Sequence, residues 1–289
     1  MKITVFTPTY NRAALLPRLF DSLSAQTCLD FEWLVVDDGS VDETAQVIDS
    51  FREKAKFPIR YFQKENGGKH TAYNLALEKA AGSWFVCLDS DDKLAANAVE
   101  RMCAEMDRCP DLDGLVAYKA DLDGKLICSV LPADVPSLHI YELGLRYQCG
   151  GDYVFAYDTA IARKYPFPVF EGERFSPEGI MLDMLGQACR LSVVPEVLML
   201  CEYQATGYSA QAHKLIRENP CAYAQCFMQK IDLSLRFQDR VKSAGRYHCY
   251  RFFAGKRACR YSGKHKVLSV LCVPLGGIYY LYYKLFCGF

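Results

Sequence analysis

Along the first hundred residues the hydrophobic pattern alternates between two periods. Residues 2–7, 31–36, 59–62 and 84–88 are short β-rich runs, the pattern of strands buried on both faces. Between them apolar residues recur at helical spacing. Leu15, Leu16, Leu19, Phe20 and Leu23 form the first stripe, with Asn11 placed to cap it. Ser40 and Glu43 have the spacing of a capping box ahead of Ala45, Ile48 and Phe51. Ala72, Leu75, Ala76 and Ala80 predict a third helix stopped at Gly82, and Leu94, Ala98, Val99 and Met102 a fourth. This alternation predicts an α/β fold, a mostly parallel sheet with helices on both faces.

The second half is less regular. Residues 114–118 and 153–157 read as strands, and residues 193–201 as a β-rich run broken by Pro195. Ser176, Pro177 and Glu178 fit the N-cap, N1 and N2 positions of a helix reaching Cys189. From Asn219 the chain turns helical and basic. Between residues 230 and 266, Lys230, Arg236, Arg240, Lys242, Arg246, Arg251, Lys256, Arg257, Arg260, Lys264 and Lys266 face only Asp232 and Asp239. Residues 267–283 then carry no charge, and Pro274, Gly276 and Gly277 interrupt them. A spanning helix needs about 20 apolar residues, so this end is read as a packed hairpin or an interfacial segment. The expected organisation is one α/β domain over residues 1–215, with halves 1–110 and 111–215. A basic helical region with an apolar end follows at 216–289.

Composition narrows the classes. The 289 residues balance to a formal charge of zero, which gives no reason to expect a nucleic-acid partner. The 14 cysteines form no CxxC pair and no zinc-spaced array. Without a signal-peptide pattern at the N-terminus, they are expected as reduced, mostly buried thiols in a cytoplasmic protein.

Ligands of open α/β sheets bind outside the carboxyl ends of the strands. Those ends carry Pro8, Thr9, Tyr10 and Asn11; then Asp37, Asp38, Gly39 and Ser40; then Asn66, Gly67, Gly68 and Lys69; and finally Asp89, Ser90, Asp91 and Asp92. All four clusters are polar, as one nucleotide or phosphate site would require. A helix cap explains one aspartate of the last cluster, not three in four residues. Carboxylates at that density suit a hard divalent cation, Mg²⁺ or Mn²⁺, which would offset the charge of a diphosphate. Gly67, Gly68 and Lys69 lack P-loop spacing, but allow close backbone approach and a nearby cation.

The strings TVFTPTYNRAALLPRLFDSLSAQT, FEWLVVDDGSVDETAQVI and ENGGKHTAYNLALEKAAGSWFVCLDSDD, in this order and spacing, resemble the family 2 glycosyltransferases of the GT-A fold. The bacterial surface-polysaccharide members are the nearest in type. The resemblance implies a Rossmann-like mixed sheet flanked by helices, with a helical C-terminal extension. It implies inverting transfer from a UDP- or dTDP-sugar to a saccharide or polyprenyl-linked acceptor, assisted by Mg²⁺ or Mn²⁺. Pro8, Thr9 and Tyr10 would line the nucleoside pocket, Asp38 would bind base or ribose, and Lys69 would lie near base or phosphates. Asp91 and Asp92 match the DXD-like position for ribose and metal, with Asp89 a third member. Asp89-x-Asp91 and Asp91-Asp92 both fit versions of that motif.

Residues 167–178 resemble the FP-x-F-x-GE-(R/K)-F-x-x-E pattern of the same enzymes. This makes Glu178 the expected general base, with Asp183 as the alternative because Gly179 replaces the usual second acid. Glu171, Glu173 and Arg174 would order the acceptor loop. His213, following Gly207, Tyr208 and Ser209, would meet the diphosphate. The location implied is the inner face of the plasma membrane, with peripheral contact through the C-terminal region. Two other classes compete. A sugar-1-phosphate nucleotidyltransferase would need a Gly-rich, Arg- and Lys-bearing loop after the first strand, where Pro8, Thr9, Tyr10 and Asn11 stand instead. A non-catalytic binding subunit would not need the aspartates.

Overall fold

Four parallel strands form the first half of the sheet: β1 (Ile3–Thr9), β2 (Phe31–Asp37), β3 (Ile59–Gln63) and β4 (Trp84–Cys87), in the order β3-β2-β1-β4. The computed structural model describes residues 1–202 and 212–287. β1 and β2 are buried along their whole length, their polar positions Thr4, Thr7, Glu32 and Asp37 included. Their alternating side chains feed two cores. Ile3, Val5, Trp33 and Val35 join the apolar stripes of α1 (Leu16–Ser24), α2 (Thr44–Arg52) and α4 (Ala98–Arg108). Phe20 and Phe51 stack there with ring centroids 4.2 Å apart. On the opposite face Phe6 and Phe85 meet Tyr73 of α3 (Lys69–Lys79) at 5.2 and 5.3 Å.

The other strands are β5 (Lys93–Leu94), β6 (Gly114–Asp121), β7 (Ser137–Leu138), β8 (Tyr153–Asp158) and β9 (Leu191–Cys201). β8 lies antiparallel between β4 and β6, and β9 runs parallel to β6, so the nine-stranded sheet is mixed. Pro195 does not break β9. It sits where the register with β6 slips, between the pairs Ala117–Val194 and Tyr118–Val197. A residue without an N–H is tolerated at such a bulge. Leu94, expected at the head of the fourth helix, lies instead in β5, whose pairing with Met199 and Leu200 pins the chain just after Asp92. Three short helices complete the middle of the chain, α5 (Ile140–Leu145), α6 (Thr159–Ala162) and α7 (Gly179–Ala188).

Two compact units emerge: residues 1–166 with 184–204, and residues 167–183 with 205–289. The first holds the whole sheet. The second is built on α8 (Ala212–Glu218), α9 (Pro220–Leu233), α10 (Phe237–Ala254), α11 (Lys266–Leu271) and α12 (Val273–Phe286). Its core gathers Ala224, Ile231, Tyr247, Cys249 and Tyr250. Gly276 lets α12 approach α10, since a Cβ there would lie 2.4 Å from His248 Cβ. The C-terminal apolar run divides at Cys272, with Pro274 inside the first turn of α12 and both glycines within that helix. No described helix is long and apolar enough to cross a membrane. All 14 cysteines are free, and only Cys259 is exposed.

Candidate active site

The carboxyl ends of β1 to β4 meet at one edge of the first unit, where the order reverses between β1 and β4. Thr9 O accepts from Asp38 N–H at 2.9 Å, which ties the ends of β1 and β2 together. Beyond them Asn11 takes a left-handed conformation, φ 50°. Its N–H donates to Ser40 Oγ at 2.8 Å, and its Oδ1 accepts from Val41 N–H at 2.9 Å. Asn11 and Ser40 therefore join two loops and cap neither helix. Asp42 serves α2 instead, accepting from the Thr44 hydroxyl at 2.6 Å and its N–H at 3.1 Å.

The two aspartates ending β2 divide their work. Asp37, fully buried, accepts from Ser40 N–H at 2.7 Å and the Tyr61 hydroxyl at 2.6 Å. Burial and this bond to Asp37 push the Tyr61 hydroxyl up, so it stays a donor. Asp38, also buried, organises the loop before α3. Its Oδ1 accepts from Lys64 Nζ at 2.7 Å and Gly67 N–H at 3.0 Å, and its Oδ2 from Gly68 N–H at 2.7 Å. Gly39 has φ 87°, and a Cβ there would stand 3.0 Å from Asn66 N, so this turn requires glycine.

Past β4, each aspartate of the acidic run meets its own cation. Lys69 Nζ lies 2.8 Å from Asp89 Oδ1 and 2.9 Å from Oδ2. Arg12 Nη1 donates to Asp91 Oδ2 and to Ser90 Oγ, both at 3.1 Å. Arg18 bonds the Asp91 carbonyl and Glu202, bracing the loop from α1. Lys119, projecting from β6, stands 3.7 Å from Asp92 Oδ2.

The electrostatics separate the two ends of the run. Burial alone would raise Asp89, but the Lys69 and Lys119 cations hold it below the usual range, so it is ionised. Asp92 is pushed up to about 6 by burial, against the pull of Lys119 and with the charges of Asp89 and Asp91 adding to the rise. Lys119 does not offset that burial, so a further cation would stabilise the Asp92 carboxylate.

Of the residues expected at the nucleotide, Pro8 and Thr9 are buried, and the Thr9 hydroxyl makes no hydrogen bond. Tyr10 is half exposed at the strand end. The structure brings Thr9, Asp38, Lys69 and the acidic run to one sheet edge. Arg12, Arg18, Lys64 and Lys119 escaped the sequence reading. Arg12 and Lys64 adjoin the marked loops and were findable there. Lys119 lies on a strand without a local signal, and only β6 pairing places it.

Glu178 and Asp183 belong to the second unit. Glu178 is exposed, and its carbonyl accepts from Met181 and Leu182 N–H at 3.1 Å in the first turn of α7. Ser176 does not cap that helix, because its buried hydroxyl makes no hydrogen bond. Asp183 is pushed up to about 6 by burial, with Lys230 pulling the other way. Glu173 caps α9, accepting from Cys221 and Ala222 N–H at 2.8 and 2.9 Å. Asn219 Oδ1 accepts from Arg174 and Phe175 N–H at 2.8 and 2.9 Å. His213 is exposed, and Gly207, Tyr208 and Ser209 lie outside the described residues.

Among the described residues no three His, Cys, Asp or Glu side chains converge into a ready metal cage. Mg²⁺ and Mn²⁺ need no such cage, because one or two carboxylates with phosphate oxygens and water complete their shells. The hard oxygens of Asp91 and Asp92, and the buried acid at Asp92, fit such a cation.

The acids and cations at the switch point of this parallel half stand where open α/β sheets bind their ligands. The model of glycosyl transferase family 2 matches residues 4–167, and the chain belongs to that family. It is 42% identical over 106 residues to an uncharacterized glycosyltransferase of Mycoplasma pneumoniae, a match covering 35% of this chain and 36% of that one. It is 33% identical over 109 residues to the poly(ribitol-phosphate) β-N-acetylglucosaminyltransferase TarS of Staphylococcus aureus, covering 37% of this chain and 19% of TarS. The matched segments thus span well under half of these relatives. In three dimensions it resembles S. aureus TarS 1–349 in complex with UDP-GlcNAc, with TM-score 0.61 and 19% identity over 86% of this chain and 81% of that one. The mannosyltransferase PcManGT of Pyrobaculum calidifontis, in complex with GDP-Man and Mn²⁺, aligns with TM-score 0.55 and 19% identity over 97% and 81% of the chains. The fold is GT-A, a mixed sheet flanked by helices and followed by C-terminal helices.

Proposed function

We propose that the chain is an inverting, metal-dependent glycosyltransferase of hexosyl or N-acetylhexosaminyl type. Its donor is a UDP- or dTDP-sugar, and its acceptor a saccharide or polyprenyl-linked saccharide of cell-envelope polysaccharide synthesis at the inner face of the plasma membrane. One observation carries this reading: three aspartates, each facing a separate Lys or Arg, stand beside the Asp38-organised glycine loop at a sheet switch point.

In this reading Pro8, Thr9 and Tyr10 line the nucleoside pocket. Asp38 shapes the loop that carries Lys69 toward the phosphates and is the base or ribose contact. Asp91 and Asp92 would hold Mg²⁺ or Mn²⁺, with Asp89 and Asp91 toward the ribose. The metal supplies charge neutralisation on the diphosphate. The acceptor oxygen attacks the anomeric carbon as its bond to the diphosphate oxygen breaks. The hydroxyl proton passes to Glu178, with Asp183 as the alternative, and the electron pair leaves on the diphosphate. Support comes from family membership and from nucleotide-sugar complexes of similar folds. In the test, UDP or dTDP raises the melting temperature only with Mn²⁺ or Mg²⁺; no shift under any metal overturns the reading.

A further inference from the structure

The apolar end of the second unit has two faces. One face packs inward, where Leu268, Tyr279 and Tyr283 close on the α10 cluster. On the other, Val267, Val270 and Leu271 of α11 and Ile278, Leu281 and Leu285 of α12 are 56–75% exposed. Their spacings, i, i+3 and i+4 in α11 and i, i+3 and i+7 in α12, place each set on one side of its helix. Monomeric surfaces rarely leave so much contiguous apolar side chain in water.

The charge around this face selects its occupant. Residues 240–289 carry ten Lys or Arg and no Asp or Glu, while the whole chain balances to zero. Lys264 and Lys266 flank the start of α11, and Lys284 lies near the end of α12. A second copy seated on this face would bring like charges together. An anionic bilayer complements them and buries the apolar row as well. The 14 residues of α12 reach about 21 Å, short of the ~30 Å hydrocarbon core. The break at Cys272 keeps α11 from extending it.

We infer that α11 and α12 form an in-plane docking segment, whose outer apolar row enters one leaflet of an anionic membrane while the flanking lysines hold its headgroups. This gives the proposed location a physical means. It rests on that reading only for the purpose of the contact, not for the contact itself.

The experiment is sedimentation of the full chain with phosphatidylcholine vesicles, pure or containing about one-third phosphatidylglycerol, a mixture whose surface potential attracts basic segments. The wild type should partition at least about tenfold more strongly onto the anionic vesicles, as expected for several lysines near a charged surface. Leu281→Glu and Leu285→Glu, at exposed positions and checked for folding by circular dichroism, should each lower that partition by about tenfold or more. The pair Lys264→Glu and Lys266→Glu should erase the anionic preference. Equal binding to both vesicle types, or folded glutamate variants that bind like wild type, would overturn the inference. So would lipid-free self-association abolished by Leu281→Glu, which would assign the face to a second copy. Donor binding, read separately by nucleotide-induced melting shifts, tells failure of this contact from failure of the transferase reading.

Discussion

Lys69 Nζ reaches both carboxylate oxygens of Asp89, at 2.8 and 2.9 Å, joining the first residue of α3 to the loop that ends β4. This contact couples the glycine loop to the acidic run. Lys69→Met should leave the fold intact but remove a charged hydrogen bond of about 1.5–3 kcal/mol. The expected result is UDP affinity lowered at least about tenfold, measured by calorimetry. Unchanged affinity would separate Lys69 from the donor.

Asp38 is the buried centre of the same loop, with three donors on its two oxygens. In Asp38→Asn the amide keeps one acceptor oxygen and turns an NH₂ toward donors that already point inward. The variant should lose about 2–4 kcal/mol of stability, read from urea unfolding, and bind nucleotide weakly. A loss below the error of the titration would show that the loop holds itself.

Asp183 offers a pH test. Its folded pKa of about 6 lies above the ordinary value of 3.8. The folded state therefore binds the extra proton between these values, and stability falls as pH rises from about 4 to about 6. Asp183→Asn should remove that slope and raise the melting temperature at pH 7.5. If Asp183 is the base, turnover should rise through a limb near pH 6 and Asp183→Asn should abolish turnover; with Glu178 as base, Asp183→Asn keeps turnover and Glu178→Gln abolishes it while sparing donor binding.

Gly276 lies at the α10–α12 crossing, where a Cβ would meet His248 Cβ at 2.4 Å and Gly245 O at 3.0 Å. Gly276→Val should push the helices apart and cost about 1–3 kcal/mol. The loss should appear in thermal unfolding, whereas an unchanged melting temperature would mean the crossing adapts freely.

The parallel half was legible because β1 and β2 are short runs rich in β-branched and aromatic residues and α1 carries one apolar stripe, so period and burial agree. The strand ends were legible too, since ligand chemistry concentrates there whatever the loop details. Capping was misread at Asn11 and Ser40. Their side chains satisfy loop backbone from a neighbouring strand end, and no local spacing encodes that contact. Leu94 fitted a helical stripe, but tertiary pairing with β9 made it a strand. Lys119 faces Asp92 through strand order alone, a long-range fact that short-range patterns do not carry.

Titrating UDP and dTDP into the full chain by calorimetry, with and without Mn²⁺, tests the donor site most directly. Binding of at least one nucleotide should require the metal, and it should weaken at least about tenfold in Asp91→Asn and in Asp92→Asn, with folding retained by circular dichroism. Binding that is equally tight without metal and in both folded variants would contradict the assignment of the acidic run.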